Sequence, residues 1–218
     1  MNRLVMSGEY PKFCDELRKY GYDIIPTKKI DIFHKPEQHH ADMQILKIRD
    51  RIFTLGDCAD KIGKTYPENV RLNCLFLNNT LYGKLSATDK TVLDFCEENG
   101  IKTVDVSQGY TRCSTLIIAE KAAITADKSI EKALRKNEID VLLISQGNIR
   151  LEGFDYGFIG GASFSGGNTV YFFGNIRKHP DYEKISEFCK KYNSNPELFM
   201  HIRNCICKWL CIIRHQYH

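Results

Sequence analysis

DMQILKIRDRIFT, residues 42–54, can be laid without a gap over STLIIAEKAAITA, residues 114–126. Each reads as two β-strands around a short polar turn. NCLFLNNTLYG, residues 73–83, falls on the same template, and GASFSGGNTVYFF, residues 161–173, does so approximately. The positions that open the four copies are Asp42, Asn73, Ser114 and Gly161, all small or polar. MNRLVM at the start of the chain reads as a worn first copy.

Outward from the strand pairs, a second pattern recurs: a polar helix, then a short apolar strand. PKFCDELRKY precedes GYDIIPT, TDKTVLDFCEEN precedes GIKTVDVS, and DKSIEKALRKN precedes EIDVLLIS. Val92, Phe95 and Cys96, like Ile130, Ala133 and Leu134, fall at helical spacing. Gly21 and Gly100 stand where helix C-caps belong, and Asp127 stands where an N-cap would open the third helix. DCADKIGK and PDYEKISEFCKKY are two further helix candidates. A repeat of roughly 40 residues built from strands and one helix points to radial or solenoid packing. About five such units make a closed ring economical, because closure removes sheet edges. The alternative is a plain α/β domain in which the likeness arises by chance.

The totals narrow the function classes. The chain has 218 residues, 43% hydrophobic and 27% charged, with a net charge of +4 spread along its length. That excess is too small and too scattered for a nucleic-acid partner. No apolar run is long enough to span a membrane, and the N-terminus has no apolar segment of secretory type, so the expected location is cytoplasmic. Nine cysteines at irregular spacing then read as reduced thiols, mostly small core hydrophobes.

The stretches HHADMQI (39–45), QGYTRCSTLIIAEKAAIT (108–125) and GFDYGFIGGASF (153–164) are similar to an uncharacterised branch of the pentein, or guanidine-modifying enzyme, superfamily. The resemblance runs from residue 1 to about residue 192. That superfamily includes arginine and agmatine deiminases, dimethylarginine hydrolases and amidinotransferases. It also includes a noncatalytic member, the ribosome anti-association factor called translation initiation factor six. The resemblance implies an α/β fold, a five-unit β/α propeller-like ring over residues 1–195, with equivalent strand starts converging on one central cavity. It implies Cys113 as the nucleophile, His40 in a His-x-Asp motif as the acid/base, and Asp42 as the anchor for a cationic substrate. Asn73, Arg112, Ser114, Gly160 and Gly161 would line the substrate site.

The chemistry asks for these residue types. A thiolate attacks the guanidinium carbon, so the thiol must be exposed and its proton easily lost. An imidazole near neutrality protonates leaving ammonia and then activates water. A carboxylate accepts guanidinium N–H groups in bidentate fashion. Each residue also has a plainer reading: Cys113 as a buried hydrophobe, His40 satisfying a turn with His39 as the active neighbour, and Asp42 binding backbone amides. Two departures count against guanidino chemistry. In the enzymes the cysteine belongs to the last unit, whereas Cys113 is mid-chain, and no second acidic pair stands at the strand starts. Two functions follow: a cysteine hydrolase or deiminase acting on a small nitrogen-rich molecule, or a noncatalytic binding module on the same ring. Neither calls for a cofactor.

The glycines of FDYGFIGGASFSGG permit either a pocket wall whose N–H groups bind an anion or tight packing where units meet. Beyond residue 195 the spacing of Leu198, Ile202, Ile206, Trp209 and Ile213, with Asn195 as N-cap and Pro196 at N1, predicts an amphipathic helix over 196–213. This tail, 196–218, would pack on the same chain or in a homodimer. Cys205, Cys207, Cys211, His201 and His215 fit no standard zinc spacing.

Overall fold

The computed structural model describes residues 2–199 and 212–215. Its strands form five small sheets rather than one large one. The first holds β1 (Asn2–Met6) and β2 (Tyr22–Pro26), parallel and joined through helix α1 (Pro11–Lys19). A single helical turn, α2 (Ala41–Gln44), leads into the second sheet, the antiparallel pair β3 (Ile45–Ile48) and β4 (Arg51–Thr54). The third has the hairpin β5 (Leu75–Leu77) and β6 (Thr80–Gly83), helix α3 (Lys90–Glu98), and β7 (Lys102–Asp105) parallel to β6. The fourth repeats this with β8 (Thr115–Ala119), β9 (Ala122–Thr125), α4 (Lys128–Lys136) and β10 (Asp140–Leu143). The fifth does so with β11 (Ser163–Gly166), β12 (Thr169–Phe173), α5 (Tyr182–Lys191) and β13 (Asn195–Phe199). A last strand, β14 (Ile212–His215), runs antiparallel to β1. A parallel neighbour cannot be reached by a tight turn, so each third strand needs the helical crossover that precedes it.

The four template positions lie just ahead of the strands, with β3, β5, β8 and β11 beginning at Ile45, Leu75, Thr115 and Ser163. The caps fall where the sequence places them. Asp127 accepts hydrogen bonds from Ser129 N and Ile130 N at the start of α4, and Gly21 and Gly100 take positive φ after α1 and α3.

Each helix buries its apolar stripe against two sheets. Val92 and Cys96 of α3 share a core with Leu81 of β6 and with Leu46 and Phe53 of the sheet before. Ile130 and Leu134 of α4 pack with Val141 and Ala123 of their own sheet and with Leu75 and Tyr82. Ile185 and Cys189 of α5 join Val170 and Phe172 to Leu116 and Ile124. Phe13 and Leu17 of α1 pack with Leu4 and Ile24 and with Phe164 and Phe173 of the fifth sheet. The fifth sheet therefore packs on the first.

Two expectations are corrected. DCADKIGK forms no α-helix: a short 3-10 turn at Leu55–Asp57 is followed by loop. The Asp89 carboxylate accepts Ala59 N and Asp60 N, at 3.2 and 2.9 Å, and holds that backbone open. The second sheet accordingly lacks a helix and a third strand. The helix expected over 196–213 is likewise not what begins at Asn195. Asn195–Phe199 is β13, paired in register from Asn195 with Thr169 to Phe199 with Phe173, and Ile212–His215 is also extended. The crossover through α5 returns the chain to the open edge of β12, whose backbone groups need partners. As the edge strand, β13 tolerates Pro196, which brings no N–H to a ladder. Residues 200–211, with Cys205, Cys207, Cys211 and His201, lie outside the described residues. Among those described, no helix is long and apolar enough to cross a membrane.

A chain ending at Asn193 would strip partners from both β12 and β1. Its melting temperature is expected to fall by about 5–10 °C, and the bared edges should show as self-association on size-exclusion chromatography. Unchanged melting and elution would mean that neither pairing contributes.

Candidate active site

The turn Tyr110–Thr115 sets the cysteine. Ser114 N donates to Tyr110 O at 2.9 Å, Thr111 Oγ1 to Gln108 O at 2.6 Å and Thr115 Oγ1 to Thr111 O at 3.0 Å. The turn is thereby wound tightly before β8 begins. Asn73, just ahead of β5, reaches across to it. Its Oδ1 accepts Arg112 N at 2.9 Å and Cys113 N at 3.3 Å, while its Nδ2 donates to Cys113 Sγ at 3.1 Å. From the other side comes Asp42 on α2, whose Oδ2 accepts the Cys113 thiol proton. Gly161 N donates to Cys113 O at 3.0 Å. Asp42, Asn73, Cys113 and Gly161, drawn from four sheets or their approaches, therefore meet at one place. Asp42, Asn73 and Cys113 are all buried.

His40 caps α2 and is buried beside Asp42. Burial pushes its imidazole down to about 4, although the Asp42 carboxylate pulls upward and His39 adds a small further decrease. It is therefore neutral at physiological pH.

The other expected site residues make the following contacts. The Arg112 guanidinium donates through Nη1 to Thr115 O at 3.0 Å, a backbone contact within its own turn. Gly160 is a close-packing residue: a Cβ there would fall 2.2 Å from Thr115 O and 2.7 Å from Arg112 O. Gly157 N donates to Ile149 O at 2.6 Å, so this N–H and that of Gly161 already serve carbonyls. Ser114 is buried and lines a cleft walled by the loop that follows β10.

Three residues that the sequence reading passed over complete the cluster. Glu37 is buried, and its Oε1 accepts Tyr110 Oη at 2.8 Å. Asn69 Nδ2 donates to the same Tyr110 Oη at 2.8 Å and lies 3.3–3.4 Å from both Glu37 oxygens. Burial raises the Glu37 carboxyl; the Tyr110 and Asn69 hydrogen bonds oppose this, and the nearby Asp42 charge adds to it. The Tyr110 ring stacks between Tyr66 and Phe158, with centroids at 6.1 and 6.0 Å. Tyr110 was visible beside the cysteine in QGYTRC. Glu37 and Asn69 lie outside the repeat template and carried no comparable signal.

Five further thiols lie among the described residues. Burial raises Cys14 and Cys96 and pushes Cys58, Cys74 and Cys189 up to about 12, which keeps all five protonated. Among the described residues no group of His, Cys, Asp and Glu has the arrangement of a metal site.

Residues 48–202 match a family of unknown function, DUF6873. No curated protein matches the chain. Among solved structures, a dimethylarginine dimethylaminohydrolase held as an adduct with S-methyl-L-thiocitrulline superposes with a TM-score of 0.52 at 11% identity. The match covers 90% of this chain and 91% of that one. The agmatine deiminase of C. jejuni gives a TM-score of 0.47 at 10% identity, covering 90% and 86%.

His40 supplies a pH test. An imidazole held near 4 in the folded chain but near its ordinary value when unfolded makes the unfolded state bind the extra proton between those limits. Stability should therefore fall as pH drops from about 6.5 toward 4, by at most about 1.4 kcal/mol per pH unit for this residue. His179, lowered by burial, acts in the same sense, and Glu37, raised by burial, acts in the opposite one. Urea unfolding at stepped pH should show a shallower dependence for His40→Gln than for the parent. Identical slopes would place His40 in water.

Proposed function

The chain belongs to DUF6873, a family of unknown function, and has the pentein fold, and on that premise we propose that it is a cysteine-dependent hydrolase acting on the C–N bond of a small cationic, nitrogen-rich molecule. In this reading the five sheets are the blades of one propeller-like ring. The shared cores from the second sheet to the fifth, the packing of the fifth on the first, and Val5 of β1 against Ala41 and Ile45 ahead of and in β3 support that arrangement.

One observation carries the functional reading: the Cys113 thiol donates to the Asp42 carboxylate while Asn73 Nδ2 donates to the same sulfur. A buried thiol between an acceptor for its proton and a donor to its lone pair is arranged for a change of charge at sulfur. The step runs as follows. The Cys113 proton passes to Asp42 as Sγ bonds to the electrophilic carbon of the substrate. The proton then moves to the departing nitrogen, and the C–N bond breaks. Water, losing its proton to the neutral His40 imidazole, attacks the S-linked carbon; the C–S bond breaks, and the sulfur recovers a proton from His40. Two carboxylates in one buried cluster, Asp42 and Glu37, favour a substrate that brings positive charge. Asn73 would position the sulfur, and Ser114 would border the route in.

A second reading is favoured by a different observation. Cys113 is 0% exposed in this conformation, which suits a noncatalytic module whose centre is structural.

The two readings part in a labelling and turnover experiment. A hydrolase requires the centre to open, so Cys113 should react with iodoacetamide faster than Cys14, Cys74, Cys96 and Cys189, and a panel of guanidines and amidines should yield ammonia or amine. Cys113→Ser should abolish that release and Asp42→Asn should lower it by about 100-fold. Slow labelling of Cys113 with no turnover of any panel member would overturn the hydrolase reading in favour of the binding module.

A further inference from the structure

Glu37, Asp42, Asn69, Asn73 and Cys113 are each 3% exposed or less. Tyr110, hydrogen-bonded to Glu37 and Asn69, is only half-buried. Of this set it is the member that also reaches the surface. Its ring packs against the core cluster that contains Cys113 and against the one that contains Met43. Met43 Sδ lies 3.5 Å from the same Asn73 Nδ2 that donates to the Cys113 sulfur, and a charge on that sulfur would be felt by the Tyr110 hydroxyl.

The ring sits in a slot with two supported walls. Tyr66 and Phe158 both lie nearly parallel to it, at interplanar angles of 25° and 28°. Tyr66 rests on the backbone of Gly109, where a Cβ would fall 2.4 Å from its Cε2, and Lys84 Nζ stands 5.4 Å over its ring. Phe158 meets Tyr156 edge to face, with centroids at 6.0 Å. Parallel rings can slide past one another without either wall moving aside. The main chain of Tyr110 is pinned: its N donates to Gln108 Oε1 at 3.0 Å, and its O accepts Ser114 N at 2.9 Å. At the inner end the side chain is held by its hydroxyl, which donates to Glu37 Oε1 and accepts Asn69 Nδ2, each at 2.8 Å.

Any reaction at a fully buried sulfur requires a side chain to move. Displacing Asn73 would strip partners from two backbone N–H groups of the cysteine turn, whereas withdrawing the Tyr110 side chain breaks two side-chain bonds and leaves the backbone intact. We propose that Tyr110 is the gate of this centre: its ring slides outward between Tyr66 and Phe158, lets go of Glu37 and Asn69, and uncovers Cys113. Such an opening is a local event, separate from unfolding. The inference goes beyond the hydrolase reading, because access to the sulfur is measurable whether or not Cys113 turns anything over.

The test is the iodoacetamide labelling rate of each cysteine in the full chain, resolved by peptide mass spectrometry. Tyr110→Phe keeps the ring in its slot and removes both hydroxyl bonds, so Cys113 should label about tenfold faster than in the parent. Cys14 and Cys96, which lie in other cores, should label as before. Phe158→Ala removes one wall and leaves the hydroxyl bonds, and it should likewise accelerate Cys113 alone. A side-chain gate exposes little surface, so in the parent the Cys113 rate should stay level up to about 1 M urea, while Cys14 and Cys96, reached through unfolding, speed up. Faster labelling in Tyr110→Phe with no turnover of any guanidine or amidine would uphold the gate and remove the hydrolase reading, which keeps the two separable. An unchanged Cys113 rate in Tyr110→Phe, acceleration of all three thiols together, or a Cys113 rate that climbs with urea as the others do would each overturn the proposal.

Discussion

The carboxamide of Asn73 is the joint on which the centre of this molecule depends. It is fully buried, and it is used from both ends, accepting two backbone N–H groups of the cysteine turn and donating to the sulfur itself. Few side chains of this size could do both. Aspartate would bring a further negative charge toward Asp42, and leucine would leave two buried N–H groups without partners, at about 1–3 kcal/mol each. The position of Cys113 is thus fixed by a residue forty places earlier in the chain. The thiol then selects its own second neighbour, Asp42, from farther away still.

Around that joint the molecule is held together by helices that each serve two sheets. None of the small sheets has strands enough to bury a face alone. Because α3, α4, α5 and α1 each fill the gap to a neighbouring sheet, removing one helix would expose apolar surface on two. The buried polar centre is affordable only within such a frame. Glu37, Asn69 and Tyr110 bond to one another there, although Asn69 Oδ1 has no partner among the described residues.

Much of the frame was legible because it is local. Caps at Asp127, Gly21 and Gly100 announce themselves in a few residues, and the gapless overlay of 42–54 on 114–126 picks out two antiparallel strand pairs. The overlay also picked out Asp42, Asn73, Ser114 and Gly161, each just ahead of a strand. Reading failed where tertiary partners overrode local pattern. Asn195–Pro196–Glu197 is a sound helix start, yet the waiting edge of β12 draws it into β13. DCADKIGK has helical composition, yet Asp89 claims its N–H groups. Glu37 and Asn69 were illegible for a different reason: their significance lies in meeting Tyr110, and nothing in their own neighbourhoods encodes that meeting.

The pairing of β14 with β1 has a mechanical corollary. The strands are antiparallel, with Arg3 opposite His215 and Met6 opposite Ile212, and their hydrogen bonds lie across the strand direction. A load drawing Arg3 away from His215 would reach those bonds one after another, as a zipper opens, instead of all together in shear. Tension applied at that pair would therefore be yielded to at low force, and the first sheet would part there while the helix-bridged cores behind it still held. A protease or an unfoldase engaging either strand would meet the same sequential seam.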